Sequence, residues 1–176
     1  MMINYVLRRY GVRILGIDPG LAIVGYGVID VFGGKIVPVD FGSINTPAGM
    51  PTHKRLNEIF IALNELICKY QPDDVAIEEL FWNTNQTTGI RVSEARGVIL
   101  LCAERNHLNI FEYTPLQIKQ AITGYGRADK KQMIAMVTSL LRLQRPPKPD
   151  DTADALAVAI CHSQCASSRL SPYFNN

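Results

Sequence analysis

The order of apolar runs predicts an α/β fold, a five-stranded mixed sheet flanked by helices. Three observations carry it. Three β-rich runs follow one another early in the chain, each set off by turn residues. Two further short strands are separated by residues recurring at helical spacing. The chain then ends in helical patterns, the last of them rich in Ala.

Arg13-Ile14-Leu15-Gly16-Ile17-Asp18 is an apolar run that ends on a carboxylate and breaks into Pro19-Gly20, as a buried central strand would. Asp18 then stands at the rim of the sheet. It either meets other charges or a cation there, or caps the Pro-Gly turn through its own backbone. Ile23 to Asp30 and Lys35 to Ile44 form a hairpin across Phe32-Gly33-Gly34. Gly16, Gly20, Gly25 and Gly27 lie within and between strands with no helix directly after them, which argues against a phosphate-cradling loop.

Leu56, Ile59, Phe60, Leu63, Leu66, Ile67 and Tyr70 recur at spacings of three and four and predict an amphipathic helix ending at Pro72. Asp74-Val75-Ala76-Ile77 runs into Glu78 and Glu79, a second strand ending in acid. Phe81 and Trp82 follow at once, and either stack on unpaired bases or close the core. Val92, Ala95, Ile99, Cys102 and Ala103 mark a second helix, in which Gly97 admits another backbone from the core or from a partner subunit.

Ile110 to Tyr113 is the fifth strand. Thr114, Pro115 and Gln117 then spell a capped helix start, with that helix ending near Gly124. Asp129 caps a helix built on Met133, Val137, Leu140 and Leu141, and places Lys130 and Lys131 in its first turn, where the helix dipole disfavours cations. That position implies a phosphate partner or simple exposure. After the stiff Arg145-Pro146-Pro147-Lys148-Pro149 linker, Asp150 or Asp151 caps the last helix. Asp151 and Asp154, at i and i+3, share one face flanked by Ala, so the helix can approach the sheet closely.

One domain is expected over 13–166, with a loose arm over 1–12 and a flexible tail over 167–176. No apolar run has bilayer-spanning length and the first residues do not form a secretory signal, so a cytoplasmic location is expected and a membrane role is not. Cys68, Cys102, Cys161 and Cys165 read as reduced, buried thiols. Cys161, His162 and Cys165 lack the matched second pair of a zinc site.

The net charge of +2 conceals an asymmetry. From Lys119 to Pro149 seven basic residues face one acid, +6, which leaves −4 on the remainder. Such a basic segment either faces a polyanion or is a solvated pair of helix faces. Four carboxylates, Asp18, Glu78, Asp151 and Asp154, would repel one another on convergence unless cations neutralised them. Hard oxygen ligands favour Mg²⁺ or Mn²⁺, and two such ions about 3.5 to 4 Å apart suit phosphodiester cleavage. An acidic site, a basic surround and an aromatic loop together point to a nuclease.

Ile17-Asp18-Pro19-Gly20 with Gly25-Tyr26-Gly27, Ala76-Ile77-Glu78-Glu79-Leu80-Phe81, Glu94-Ala95-Arg96-Gly97, Phe111-Glu112-Tyr113 and Asp151-Thr152-Ala153-Asp154-Ala155-Leu156-Ala157 resemble the RuvC family of Holliday junction resolvases. The resemblance implies a ribonuclease H-like fold and a homodimer that nicks two opposed strands of four-way junction DNA symmetrically. It also implies Mg²⁺ and a branch-migration motor of the RuvA and RuvB type as partner. By position, Asp18, Glu78, Asp151 and Asp154 would be the metal ligands and catalytic residues, with Glu79 pointing elsewhere; the mechanism expected here has Asp18 holding both ions and the other acids one each. The family likewise implies that Phe81 stacks on a base near the cut and that Lys119 and Lys130 contact phosphates. Arg127 and Lys131 join the DNA-binding set from charge alone.

Two other readings share parts of this pattern. Asp18-Pro19-Gly20 followed by Gly25-Tyr26-Gly27 also resembles the first phosphate loop of actin-like and sugar-kinase ATPases, which need two lobes where this chain has room for one. A junction-binding scaffold without catalysis gives no reason for four acids at these places.

Overall fold

The computed structural model describes residues 11–80 and 86–170, except for the side chains of 86–88 and 166–170. Five strands form one sheet in the order β3-β2-β1-β4-β5: β1 Val12–Asp18, β2 Ile23–Phe32, β3 Lys35–Asn45, β4 Asp74–Glu78 and β5 Asn109–Tyr113. The first three strands are antiparallel neighbours, whereas β4 runs parallel to β1 and β5 parallel to β4. The sheet is therefore mixed, with β1 at its centre. Gly33 and Gly34 both take positive φ and join Phe32 to Lys35 in a two-residue hairpin, the geometry that matches strand twist.

Strand alternation divides the core in two. Ile14 and Ala76 look to one face, Leu15, Ile17, Val75 and Ile77 to the other. Helices α1 Thr52–Tyr70 and α2 Gln86–Arg105 cover the second face through Ile59, Leu63, Ile67, Ala95, Ile99 and Cys102. The first face is covered by α3 Pro115–Thr123, α4 Lys130–Leu140 and α5 Asp150–Leu170. Asp18 and Glu78 share the parity of Ile14 and Ala76, so the same two-residue period aims both acids toward α5.

The expected caps hold at α3 and α4. Thr114 and Gln117 exchange side-chain and backbone hydrogen bonds, and Asp129 and Gln132 do the same. Two expectations differ at α5. The helix already includes Asp150, so Asp150 and Asp151 both lie in its first turn instead of capping it, where their charge favours the dipole. It also runs on to Leu170, beyond the boundary expected at 166. Cys68 is exposed and Cys165 half-buried, against the expectation of four buried thiols; Cys68 falls on the outer side of α1. Burial raises Cys102 to about 11 and Cys161 to about 12, so both thiols stay protonated.

What lets α5 lie on β1 and β2 is the lack of side chains beneath it. A Cβ on Gly16 would overlap the Ala155 carbonyl oxygen and stand 2.8 Å from Ala159 Cβ. One on Gly25 would collide with the Asp151 backbone, and one on Gly27 would stand 2.6 Å from Leu156 Cδ2. Thr152, fully buried, donates its hydroxyl to the Gly42 carbonyl of β3 at 3.1 Å. About three turns further along α5, His162 accepts or donates at both ring nitrogens, to Tyr113 Oη at 2.7 Å and Asp74 Oδ2 at 3.0 Å, and stacks on Phe111. With both nitrogens engaged, His162 is not available as a ligand beside Cys161 and Cys165. No helix among the described residues is long and apolar enough to cross a membrane.

Because α5 cannot retreat without losing the contact, Gly16→Ala and Gly25→Ala are each expected to lower unfolding stability by about 1–3 kcal/mol. The shift of the urea midpoint at unchanged m-value measures it.

Candidate active site

The carboxyl end of the central strand supplies Asp18, the end of β4 supplies Glu78, and the first turn and a half of α5 supplies Asp151 and Asp154. Glycine-mediated contact brings these elements together. Burial pushes Asp18 up to about 8, and Asp154, Glu78 and Asp151 push in the same direction while Lys130 opposes them. Glu78 is raised as well, first by burial and then by Asp154, against the pull of Lys119 and Lys130. All four acids therefore share one electrostatic site. No hydrogen bond from the Pro19-Gly20 turn offsets the rise at Asp18, so this carboxylate belongs to the cluster and is not a turn cap.

Three adjoining clefts open over the acids. A cleft of about 270 Å³ is lined by Asp18, Glu78, Glu79, Val92 and Pro115. On one side a cleft of about 230 Å³ carries Glu78 and Asp154 with Lys119 and Lys130. On the other, a cleft of about 440 Å³ carries Asp18 and Asp151 with Arg55 and Arg91. Glu79, expected to point elsewhere, contributes to the wall of the central cleft.

Lys130 donates to Asp154 Oδ2 at 2.8 Å and lies 3.9 Å from Asp150 Oδ2. Its place in the first turn of α4, unfavourable to that helix alone, is matched by the acids of α5 across the gap. Of the other residues expected to meet DNA, Lys119 stands beside Glu78, while Arg127 and Lys131 are exposed and line none of these three clefts. Phe81, with Trp82, lies outside the described residues.

The donor set facing the clefts is carboxylate oxygen, which suits hard divalent cations such as Mg²⁺ and Mn²⁺. The excess negative charge that raises Asp18 and Glu78 is what such a cation would relieve. Among the described residues, no three Asp, Glu, His or Cys side chains are already closed into a metal-sized group.

A family model described as crossover junction endodeoxyribonuclease RuvC matches residues 14–162, most of the chain. The chain belongs to the RuvC family. A RuvC of Alkaliphilus metalliredigens is 59% identical over 150 residues, covering 85% of this chain and 92% of that relative. One of Brevibacillus brevis is 55% identical over 152 residues, covering 86% and 92%. Among solved structures, T. thermophilus RuvC in complex with Holliday junction substrate matches with a TM-score of 0.85 at 32% identity, over 90% of this chain and 96% of that one. The fold is ribonuclease H-like.

Three arginines of this RuvC-family chain escaped the sequence reading. Arg96 pairs with Glu112 of β5 and donates from Nε to the Glu78 carbonyl at 3.4 Å, so it braces the strand end that carries an acid. Its position in Glu94-Ala95-Arg96-Gly97 was the available signal. Arg55 and Arg91 carried none, since an arginine near a helix start is usually a solvated charge.

Since the folded-state value of Asp18 lies above its ordinary one near 3.9, protonation favours the fold. The contribution of Asp18 to the stability of the metal-free protein is therefore greatest below about pH 4 and is lost as pH rises toward 8. Asp18→Asn should flatten that decline, with a gain on the order of 3 kcal/mol at pH 8 and little at pH 4. Denaturant unfolding in EDTA at both pH values measures the difference.

Proposed function

We propose that this chain is a Holliday junction resolvase, an endodeoxyribonuclease that nicks two opposed strands of a four-way DNA junction symmetrically during recombination and repair. The observation that carries the reading is the convergence of Asp18, Glu78, Asp151 and Asp154 at one opening whose rim bears Lys119 and Lys130. Membership of the RuvC family supports the substrate. A T. thermophilus relative of 32% identity was solved with a Holliday junction.

Asp18, Glu78, Asp151 and Asp154 would hold Mg²⁺, or Mn²⁺ in its place, two ions per site. When bound, these ions supply water activation and stabilise charge on the leaving oxygen. Asp18 must give up its proton on binding, and because its value is raised, cation affinity should strengthen as pH rises toward 8. Lys130, which pairs with Asp154 in this structure, would be free to meet a DNA phosphate if that carboxylate held a cation instead. Lys119 meets the strand from the same rim. Phe81, as a base-stacking residue, and Arg127 and Lys131, as further phosphate contacts, belong to the proposal on sequence grounds.

Symmetric nicking calls for two sites and hence a homodimer. On α2, Ile90, Gly97 and Leu101 fall on one face, with Ile90 54% and Leu101 55% exposed, and a Cβ at Gly97 would meet nothing within 4 Å. Among the described residues no other backbone fills the gap at Gly97, so we retain the partner reading of that glycine. A cytoplasmic location and work beside a RuvA and RuvB type motor complete the proposal.

The test is a synthetic four-way junction, with linear duplex as control, incubated in Mg²⁺ or EDTA. Paired nicks confined to the junction and to Mg²⁺ are expected; binding without nicking would favour a scaffold. Asp18→Asn should lower cleavage by at least about 10³-fold with junction affinity retained, and should remove the rise in melting temperature that Mg²⁺ gives the native chain. Leu101→Lys should shift the chain toward monomer in sedimentation velocity, and an unchanged dimer would move the interface elsewhere.

A further inference from the structure

The largest of the three clefts lies on the side of the acids away from Lys119 and Lys130, and the proposed chemistry leaves it without a task. It is lined by Pro19, Leu21, Ala22 and Ile23, by Val92, which it shares with the central cleft, and by Arg55 and Arg91. The two arginines come from different helices, α1 and α2, and converge on one space. Neither forms an ion pair among the described residues, although Asp18 and Asp151 line the same cleft.

Arg55 is held in place. Its Nε donates to Thr46 Oγ1 at 2.7 Å, and that buried hydroxyl donates to the Leu21 carbonyl at 2.6 Å. Thr46 N also donates to the Ala22 carbonyl at 3.0 Å. The guanidinium is thereby clamped along its Nε edge to the loop that follows Asp18. No acceptor among the described residues meets its Nη groups, which leaves the forked end free for a ligand. A clamped guanidinium loses little freedom on binding and presents the fork that suits a phosphate.

The cleft measures about 440 Å³, within the roughly 300–1,000 Å³ of pockets that take a small-molecule-sized group. An apolar floor under paired cations fits a nucleotide, with sugar and base on Pro19, Leu21 and Ile23 and the phosphate on the arginines. Resting on the resolvase reading, we infer that this cleft seats the nucleotide next to the scissile phosphate on the cut strand, with Arg55 and Arg91 gripping its phosphate. The scissile phosphate is then held from two sides, Lys119 and Lys130 on one and the arginine pair on the other. That arrangement fixes the register of the strand over the acids.

The probe is a synthetic junction carrying one neutral methylphosphonate, placed in turn at each phosphate flanking the cut. The proteins are the native chain, Arg91→Gln, whose exposed site does not threaten folding, and Arg55→Lys, which keeps the charge but loses the fork. On the unmodified junction each variant should cut roughly tenfold to a hundredfold more slowly at subsaturating DNA, with melting temperature unchanged for Arg91→Gln. A methylphosphonate at one flanking position, 5′ or 3′, should slow the native chain by a similar factor and slow Arg91→Gln little further, because the contact is already gone. Native-like cutting by Arg91→Gln, or an equal methylphosphonate penalty in both proteins at every position, would overturn the inference. If the native chain nicks no junction in Mg²⁺, the resolvase reading itself fails.

Discussion

The contact on which the rest of the structure depends is the seating of α5 directly on the backbones of β1 and β2. Gly16, Gly25 and Gly27 leave no side chain between strand and helix, and Ala155 and Ala159 answer from the helix. Two further ties keep the helix from sliding. Thr152 bonds β3 at its start, and His162 bonds β4 and β5 near its middle. The first turn of α5 is thereby delivered to the strand ends that carry Asp18 and Glu78. A helix seated on ordinary side chains would stand some ångströms higher, and its acids would miss those of the sheet.

That geometry concentrates negative charge where burial already disfavours it. The fold tolerates the cluster because Asp18 remains protonated near neutrality without a cation and because Lys130 and Lys119 approach from the helices beside α5. Stability is accommodated elsewhere. Arg13, at the opposite end of β1, makes a two-pronged pair with Asp30 and reaches the Tyr70 carbonyl, while its backbone N–H donates to Asp73. The central strand is thus well satisfied at its start and electrostatically strained at its finish, the division expected where one end of a sheet carries chemistry.

The surround of the acids is not uniform. Lys119 and Lys130 stand over Glu78 and Asp154, Arg55 and Arg91 over Asp18 and Asp151. The lysines are compact charges, one already paired with a carboxylate, whereas Arg55 is fixed by a buried threonine and keeps its fork open. The two sides of the opening therefore hold their cations differently.

By itself the sequence determined much of this protein. The apolar runs ending in Asp18 and Glu78, the helical spacings, and the caps at Thr114 and Asp129 are local signals, and the elements formed where they pointed. Asp18, Glu78, Asp151 and Asp154 were legible as a candidate site only as a set, since each alone could cap a turn or favour a helix dipole. What only the tertiary structure decided depends on residues distant in the chain. Gly16 and Gly25 acquire a purpose only under Ala155 and Asp151, and Lys130 finds its partner in Asp154 on the next helix. Arg55 and Arg91 become a pair only when α1 and α2 pack side by side. Periodicity reports which face of an element is buried, but not which neighbour buries it, and charge composition does not say across which gap a charge will look.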